Sequence, residues 1–392
     1  MTKEKIIEFI DQHKKELIEV SMEIFNNPET NFKEFKASKL LAKKLEDAGF
    51  KVKLGVADLE TAIYAEHPEV SKGPTVAILA EYDALPEIGH ACGHNLIAAA
   101  ALGASLALGN IKKELLGELV FMGTPAEEGG GGKIFMIEKG LFQGIDAAMM
   151  FHPSSNYTLV GRGGLALTEM KIEFFGQTAH ASADPENGIN ALDAVIQSFN
   201  GISALRQHIP QTSRIHGIIT DGGTKPNIIP DYAAASFYAR ALTTESCEEL
   251  VKKIENIAKG AALITGADLK FSIIPPAYAS RKVNTTMGAL FLKNLEILKV
   301  PLKPQAPGAG LGSSDIGNVS QVVPTIHPYL LIGEEGKKTP GHSMQFAKAA
   351  SSEKGQEAMI NAAKALAMTA YDILMNDSIV EAIWKEFKEI KA

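Results

Sequence analysis

The chain has 392 residues, of which 45% are hydrophobic and 22% are charged, and its formal net charge is −7. This length is sufficient for two domains, and the negative charge argues against nucleic acid or an anionic membrane surface as a partner. Two cysteines, Cys92 and Cys247, provide no disulfide framework, and no apolar run has the length of a membrane span. The charged N-terminus does not resemble a signal peptide, so we expect a cytoplasmic location.

Helix and strand patterns alternate in the first part of the chain. Residues 3–27 and 33–49 have apolar positions three and four residues apart, which predicts two amphipathic helices. Short apolar runs then predict four strands, and helical patterns separate the last three: TAIYAE from Thr61, TVAILAEYD from Thr75, ELVFMGT from Glu118 and DAAMMFH from Asp146. This alternation predicts an α/β fold with a mostly parallel sheet and helices on both faces.

A different order of elements begins near residue 163. The segments from LALTEMKIEFFG to DLKFSIIP have the order β-α-β-β-α-β, which is that of the ferredoxin-like unit. Helical patterns at about 286–298 and 353–375 then resume the first arrangement. We therefore predict a discontinuous α/β domain over 1–162 and 277–392, interrupted by an α+β lid domain over 163–276.

Ionisable residues follow three of the predicted strands at their carboxyl ends. They are Glu81 and Asp83, the pair Glu127 and Glu128, and His152. Ligands of open α/β sheets bind outside the carboxyl ends of the strands, so these side chains are expected at one edge of the sheet. The segment HACGH, which contains His90, Cys92 and His94, follows the first of these strands after a short loop.

The thiol of Cys92 and the imidazole of His94 form a strong pair of metal ligands if both lie in the turn before a helix. Asn95 is a candidate N-cap of that helix. The residues alone also allow a small buried cysteine beside a capping histidine, or a cysteine nucleophile. Adjacent Glu127 and Glu128 repel one another unless cations are near, and they could act as a general base and a metal ligand; a solvated acidic pair is the alternative.

With these residues described, the chain resembles the metal-dependent amidohydrolases and peptidases that include aminoacylase, acetylornithine deacetylase and carboxypeptidase G. The resemblance covers nearly the full length. It is closest to the branch of p-aminobenzoyl-glutamate hydrolase subunits and the dipeptidases called peptidase M-twenty domain-containing protein two. The matching motifs are YDALPEIGHACGHN, TPAEEGGGGK, GQTAHAS, GTKPNIIPD and GSSDIGNVS. One departure is Glu81-Tyr82-Asp83, which stands where the wider family has His-x-Asp.

The resemblance implies a role for each matching residue. Five residues match the metal-ligand positions of the cysteine-containing branch: Cys92, His94, Glu128, His152 and His342. Glu127 matches the general base that activates a water molecule, and Asp83 matches a residue that orients a ligating side chain. His180 matches the lid histidine that polarises the scissile carbonyl group. Asn227 and Arg240 lie where lid residues can hold the substrate.

The implied activity is hydrolysis of the amide bond of a small N-acyl amino acid or dipeptide-like substrate, such as aminobenzoyl-glutamate. Two divalent ions would take part, zinc or manganese, with cobalt or nickel as alternatives. The resemblance also implies a homodimer through the lid, with a heteromeric partner as the alternative. The rival hypotheses are a hydrolase with Cys92 as its nucleophile and a non-catalytic small-molecule-binding protein on the same fold.

Overall fold

The computed structural model describes residues 2–69, 72–304, 311–334 and 339–390. The chain separates into two compact units. Met1–Gly163 and Arg281–Lys391 form the first unit, and Gly164–Ser280 forms the second. Each unit has an apolar core of its own. In the described part of the chain, no helix has both the length and the apolar character needed to cross a membrane.

The elements are numbered in chain order. The strands are β1 Lys51–Leu54, β2 Ile63–Glu66, β3 Thr75–Ala80, β4 Glu118–Gly123, β5 Ala147–Met149, β6 His152–Ser154, β7 Ala166–Phe175, β8 Arg214–Asp221, β9 Tyr232–Ala241, β10 Asp268–Tyr278, β11 Thr325–Ile326 and β12 Tyr329–Leu331. The α-helices are α1 Thr2–Gln12, α2 Lys14–Asn26, α3 Phe35–Asp47, α4 His94–Asn110, α5 Gly132–Glu138, α6 Ala191–Leu205, α7 Thr244–Thr265, α8 Thr285–Ile297, α9 Ile316–Val322, α10 Met344–Ala350, α11 Glu353–Leu374 and α12 Asp377–Glu389. The single helix predicted over 3–27 is thus two helices, which are separated at His13.

The first unit is built on a six-stranded sheet in the order β1-β2-β4-β3-β5-β11. Strands β4, β3, β5 and β11 run parallel, whereas β1 and β2 are antiparallel to their neighbours. Strands β3 and β4 are buried almost completely, as expected for parallel strands that are covered on both faces. Beyond the end of β5, strand β6 pairs in parallel with β12. The predicted α/β fold class is confirmed.

Helix α4 contains the Ala-rich segment, and every residue from His94 to Leu108 is buried. A helix without a polar face is typical of packing on several sides, and α2, α11 and β3 all contact α4. The helix begins at His94, so the predicted N-cap at Asn95 is wrong. Asn95 lies within the helix, where its side-chain amide donates to Ser21 Oγ at 2.9 Å. The early start fixes His94 at the buried N-terminus of α4.

The second unit has a four-stranded antiparallel sheet in the order β10-β7-β9-β8, and α6 and α7 pack against it. Its elements follow one another as β-α-β-β-α-β, in the predicted order. Buried and partly exposed residues alternate along most of β7 and β9, as expected for a sheet with helices on one face. Both helices have side-chain caps, from Asn190 and Thr243.

Candidate metal centre

The turn Cys92-Gly93-His94 connects the loop after β3 to α4. Gly93 has a φ of +80°, and a Cβ atom there would lie 2.6 Å from Pro153 Cγ. Glycine is therefore required at this position on both conformational and steric grounds. The turn places the Cys92 thiol 3.4 Å from His152 Nε2. The close approach of the Cys92-Gly93-His94 turn to the β6 strand is what brings the thiol and this second imidazole together.

The His94 ring is oriented by the Asp83 carboxylate. His94 is completely buried, and its Nδ1 lies 2.9 Å from Asp83 Oδ1, while the other carboxylate oxygen of Asp83 accepts from Glu128 N at 2.9 Å. Burial alone would raise the pKa of Asp83, but the charge and hydrogen bond of His94 outweigh it and lower the pKa. With its Nδ1 proton held by Asp83, His94 directs Nε2 toward Glu81, Glu127 and Glu128. This arrangement is usual for a histidine that binds a metal ion.

Four groups of side chains offer donor atoms that lie within 4.8 Å of one another. The groups are Cys92, His94 and His152; Cys92, Glu128 and His342; His94, Glu127 and Glu128; and Glu81, Glu127 and Asp315. All five predicted metal-ligand residues occur in them, and Cys92 belongs to two. His90 belongs to none, and its buried ring lies near Phe25.

The donor atoms fit divalent cations. His94 Nε2 and Glu128 Oε1 are buried and have no hydrogen-bond partner in the described ranges. A buried polar atom without a partner costs roughly 1–3 kcal/mol, a cost that a bound cation would remove. Burial and the nearby Glu128 carboxylate also raise the pKa of the Cys92 thiol well above its usual value. A cation would reverse that shift, because a coordinating thiol is deprotonated.

His152 and His342 reach this centre from distant parts of the chain. The Nδ1 atom of His152 lies 2.7 Å from Pro153 O, so it carries the proton and leaves Nε2 as the electron-pair donor. Burial lowers the pKa of His152 to about 4, which keeps the ring neutral as ligation requires. His342 has a φ of +55°, a strained conformation for a residue other than glycine, and its Nε2 lies 3.5 Å from Glu128 Oε2. Such strain is often concentrated at functional sites.

Glu127 lies beside these donors and is 9% exposed. Its Oε2 atom is 3.9 Å from His94 Nε2. Burial and the neighbouring Glu81 and Glu128 carboxylates raise the pKa of Glu127 well above its usual value. A carboxylate whose proton affinity is raised in this way suits a general base.

A buried ion cluster adjoins the site, and no local sequence pattern predicts it. The Lys133 ammonium is completely buried and donates to Glu81 Oε1 at 2.6 Å and to Asp315 Oδ1 at 2.7 Å. Asp315 also accepts from Lys133 N at 3.1 Å. Glu81 therefore has a carboxylate that joins the cluster through one oxygen and faces His94 Nε2 at 3.5 Å through the other.

The three predicted lid residues all lie in the second unit. His180 is exposed, and its Nδ1 accepts from the backbone N–H groups of Ser182 and Ala183 at 3.4 and 3.3 Å. Asn227 is close to it along the backbone, because Asn227 O accepts from Ala181 N at 3.1 Å. Arg240 is on β9, with its guanidinium 6.0 Å from the centre of the Tyr238 ring.

Comparison with known proteins gives full-length relatives. Residues 162–265 match the family model described as a peptidase dimerisation domain. The Xaa-Arg dipeptidase of Mus musculus is 38% identical over 99% of this chain and 92% of its own length, and that of Homo sapiens is 36% identical over 97% and 91%. A subunit of the p-aminobenzoyl-glutamate hydrolase of Escherichia coli (strain K12) is 35% identical over 67% of this chain and 59% of its own length.

Solved structures share the fold. A putative aminohydrolase from methicillin-resistant Staphylococcus aureus has a TM-score of 0.81 at 21% identity, covering 95% of this chain and all of its own. A protein of Bacillus subtilis, described as a dinuclear metal-binding peptidase of the M20 family, has a TM-score of 0.71 at 22% identity, covering 93% of this chain and 99% of its own. The family resemblance is confirmed: the chain belongs to the M20 family of peptidases and amidohydrolases, enzymes that act on dipeptides and N-acyl amino acids.

Proposed function

We propose that this protein hydrolyses the amide bond of a small N-acyl amino acid or dipeptide-type substrate with two divalent ions. The observation that carries the proposal is the position of Cys92, whose thiol belongs to two donor groups at once. Cys92, His94 and His152 would hold one ion, and Cys92, Glu128 and His342 would hold the other. The thiol would then bridge the two positions.

The side chains around this centre divide the work of hydrolysis. When bound, the ions would lower the pKa of a water molecule and polarise the substrate carbonyl group. Glu127 would accept the proton from that water and then donate it to the leaving amine nitrogen. His180 accepts backbone hydrogen bonds at Nδ1, so its Nε2–H can donate to the carbonyl oxygen as negative charge develops there. Asn227 and Arg240 would hold the substrate from the same unit.

The finer assignments rest on the relatives and on the donor types. One sulfur, three nitrogens and one carboxylate oxygen suit zinc, and manganese, cobalt and nickel are the metals to compare with it. The relatives support a test panel of alanyl-arginine, p-aminobenzoyl-glutamate and N-acetyl-methionine. The dimerisation-domain match supports a homodimer through the second unit, and a heteromeric partner is the alternative.

Removal of metal should abolish hydrolysis of this panel, and addition of zinc or manganese should restore it. The rival hypothesis, with Cys92 as a nucleophile, predicts the opposite. Burial raises the pKa of the Cys92 thiol, which disfavours the thiolate that a metal-independent nucleophile needs. The measurement is hydrolysis by chelator-treated protein before and after metal addition, with metal content determined in parallel. Full activity in the stripped protein would refute the metal-dependent mechanism.

His180→Ala should lower kcat by about 10²-fold, the usual effect of removing one donor to the developing oxyanion. Metal content should stay at the wild-type level, because His180 lies outside the donor groups. His208→Ala is the matched control, since His208 is also exposed in the second unit. The measurement is steady-state kinetics with metal analysis. Equal losses of activity and metal would show that His180 has a structural role instead.

A further inference from the structure

A cavity in the first unit is rich in positive charge. Arg162, Arg281, Lys282 and His327 line it together with neutral residues. No acidic side chain is present in this lining, as far as the described ranges show. The Arg281 guanidinium also forms no ion pair with a carboxylate of those ranges, although it is partly buried. A partly buried cation of this kind favours an anionic ligand.

Two donors at this cavity lack an acceptor. The Arg281 Nη1 atom contacts His327 Nδ1, and because a guanidinium can only donate, Nδ1 accepts and the neutral ring carries its proton on Nε2. Arg281 Nη2 donates to Gly163 O and to Tyr329 OH, each at 3.1 Å. Arg281 Nε and His327 Nε2 are buried without a hydrogen-bond partner in the described chain, and His327 is 5% exposed. These two N–H groups can therefore donate to an acceptor from outside the protein.

The cavity lies beside the proposed metal centre. The His327 ring is 5.3 Å from the His152 ring, centre to centre, and the Tyr329 ring is 5.5 Å from it. His152 Nε2 is in turn 3.4 Å from Cys92 Sγ. In an N-acyl amino acid, the amide carbon and the carboxylate carbon are about one residue spacing apart, roughly 3.8 Å. A short substrate whose amide lies at the metal donors would thus have its carboxylate near these rings.

We propose that Arg281 and His327 form a subsite for the free α-carboxylate of the substrate, an inference that rests on the proposed function. The planar guanidinium matches a carboxylate in shape and charge. Arg162 adds positive charge, and its guanidinium stacks 5.1 and 5.2 Å from the ring centres of Tyr157 and Tyr329. Such a subsite confines the enzyme to the last amide bond of a chain, because only that residue carries an α-carboxylate.

The test compares a carboxylate substrate with its carboxamide. The pairs are alanyl-arginine with alanyl-argininamide and N-acetyl-methionine with N-acetyl-methioninamide. Wild-type kcat/KM should favour the carboxylate by about 10- to 100-fold, the usual contribution of a charge-assisted hydrogen bond. Arg281→Gln should bring the ratio close to one, and Arg281→Lys should keep part of it. Arg206→Gln is the matched control, because Arg206 is exposed in the second unit, and it should keep the wild-type ratio.

The ratio is measured on one preparation, so a smaller folded fraction of a variant cancels from it. Calorimetric titration of chelator-treated protein should show the same preference in binding of N-acetyl-methionine over its carboxamide. A wild-type ratio near one, or an unchanged ratio in Arg281→Gln, would overturn the subsite. An unchanged ratio with a loss of metal would instead assign Arg281 to support of the His152 ring. Failure of the wild type to hydrolyse either pair would reject the proposed function, and the subsite with it.

Discussion

Glu127→Gln is expected to reduce kcat by about 10²- to 10⁴-fold, while the protein keeps its metal ions. The amide has nearly the size of the carboxylate but cannot take a proton from water. Its position supports this role, since Glu127 is 9% exposed beside His94 and outside both donor groups that contain Cys92. The measurement is steady-state hydrolysis of the best substrate of the panel, together with metal content per subunit.

Glu128→Gln is the matched control for this experiment, because it changes the neighbouring carboxylate in the same way. Glu128 shares a donor group with Cys92 and His342, so this variant should lose metal as well as activity. The two adjacent residues would thereby be separated into a base and a ligand. Native turnover in Glu127→Gln would show that the base is another group. Loss of metal in Glu127→Gln would place Glu127 among the ligands, in the group that it forms with His94 and Glu128.

Much of the fold and of the site's composition was predictable, because the relevant signals are local. The strands that precede Asp83, Glu127 and His152 are short apolar runs, and their carboxyl ends share one edge of the sheet. The structure brings the five metal-ligand candidates into overlapping groups, and their roles stay a prediction. The start of α4 was misplaced by one residue, because the unusual backbone of Gly93 allows the helix to begin directly after the turn.

The charged cluster at Lys133 was not predictable by such signals. Its partners Glu81 and Asp315 lie 52 and 182 residues away in the sequence. No periodicity or spacing connects residues so far apart, and a lysine after four glycines is usually a surface residue. Arg281 and His327 are likewise 46 residues apart. Pairings of this kind depend on how the elements pack, and only the tertiary structure reveals them.

Lys133→Met is expected to destabilise the fold by about 3–5 kcal/mol, the usual cost of removing one partner from a buried ion pair. Methionine keeps most of the length of the side chain, so the loss is mainly of charge. Burial favours the neutral form of Lys133, but the Asp315 and Glu81 carboxylates outweigh it and raise its pKa. Without the ammonium, two carboxylates would remain buried close to one another.

The pH dependence of this loss distinguishes charge from packing. Burial raises the pKa of Asp315 to about 6, above its value in the unfolded chain, although Lys133 limits the rise. Protonated Asp315 therefore stabilises the fold at low pH, and this contribution is lost as the pH rises through about 6. Removing Lys133 raises that pKa further, so the deficit of Lys133→Met should be smaller at pH 5 than at pH 8.

The measurement is urea unfolding of the chelator-treated wild type and variants at both pH values, so that release of metal at pH 5 does not contribute. Lys364→Met is the matched control, because Lys364 is also a buried lysine but its partner Asp11 has a side chain that is 52% exposed. Asp11 can be hydrated after the change, so the control should lose less than about 1 kcal/mol, equally at both pH values. A deficit of Lys133→Met that is the same at pH 5 and pH 8 would show that Lys133 acts through packing, and that the Glu81 and Asp315 carboxylates beside the metal centre do not depend on its charge.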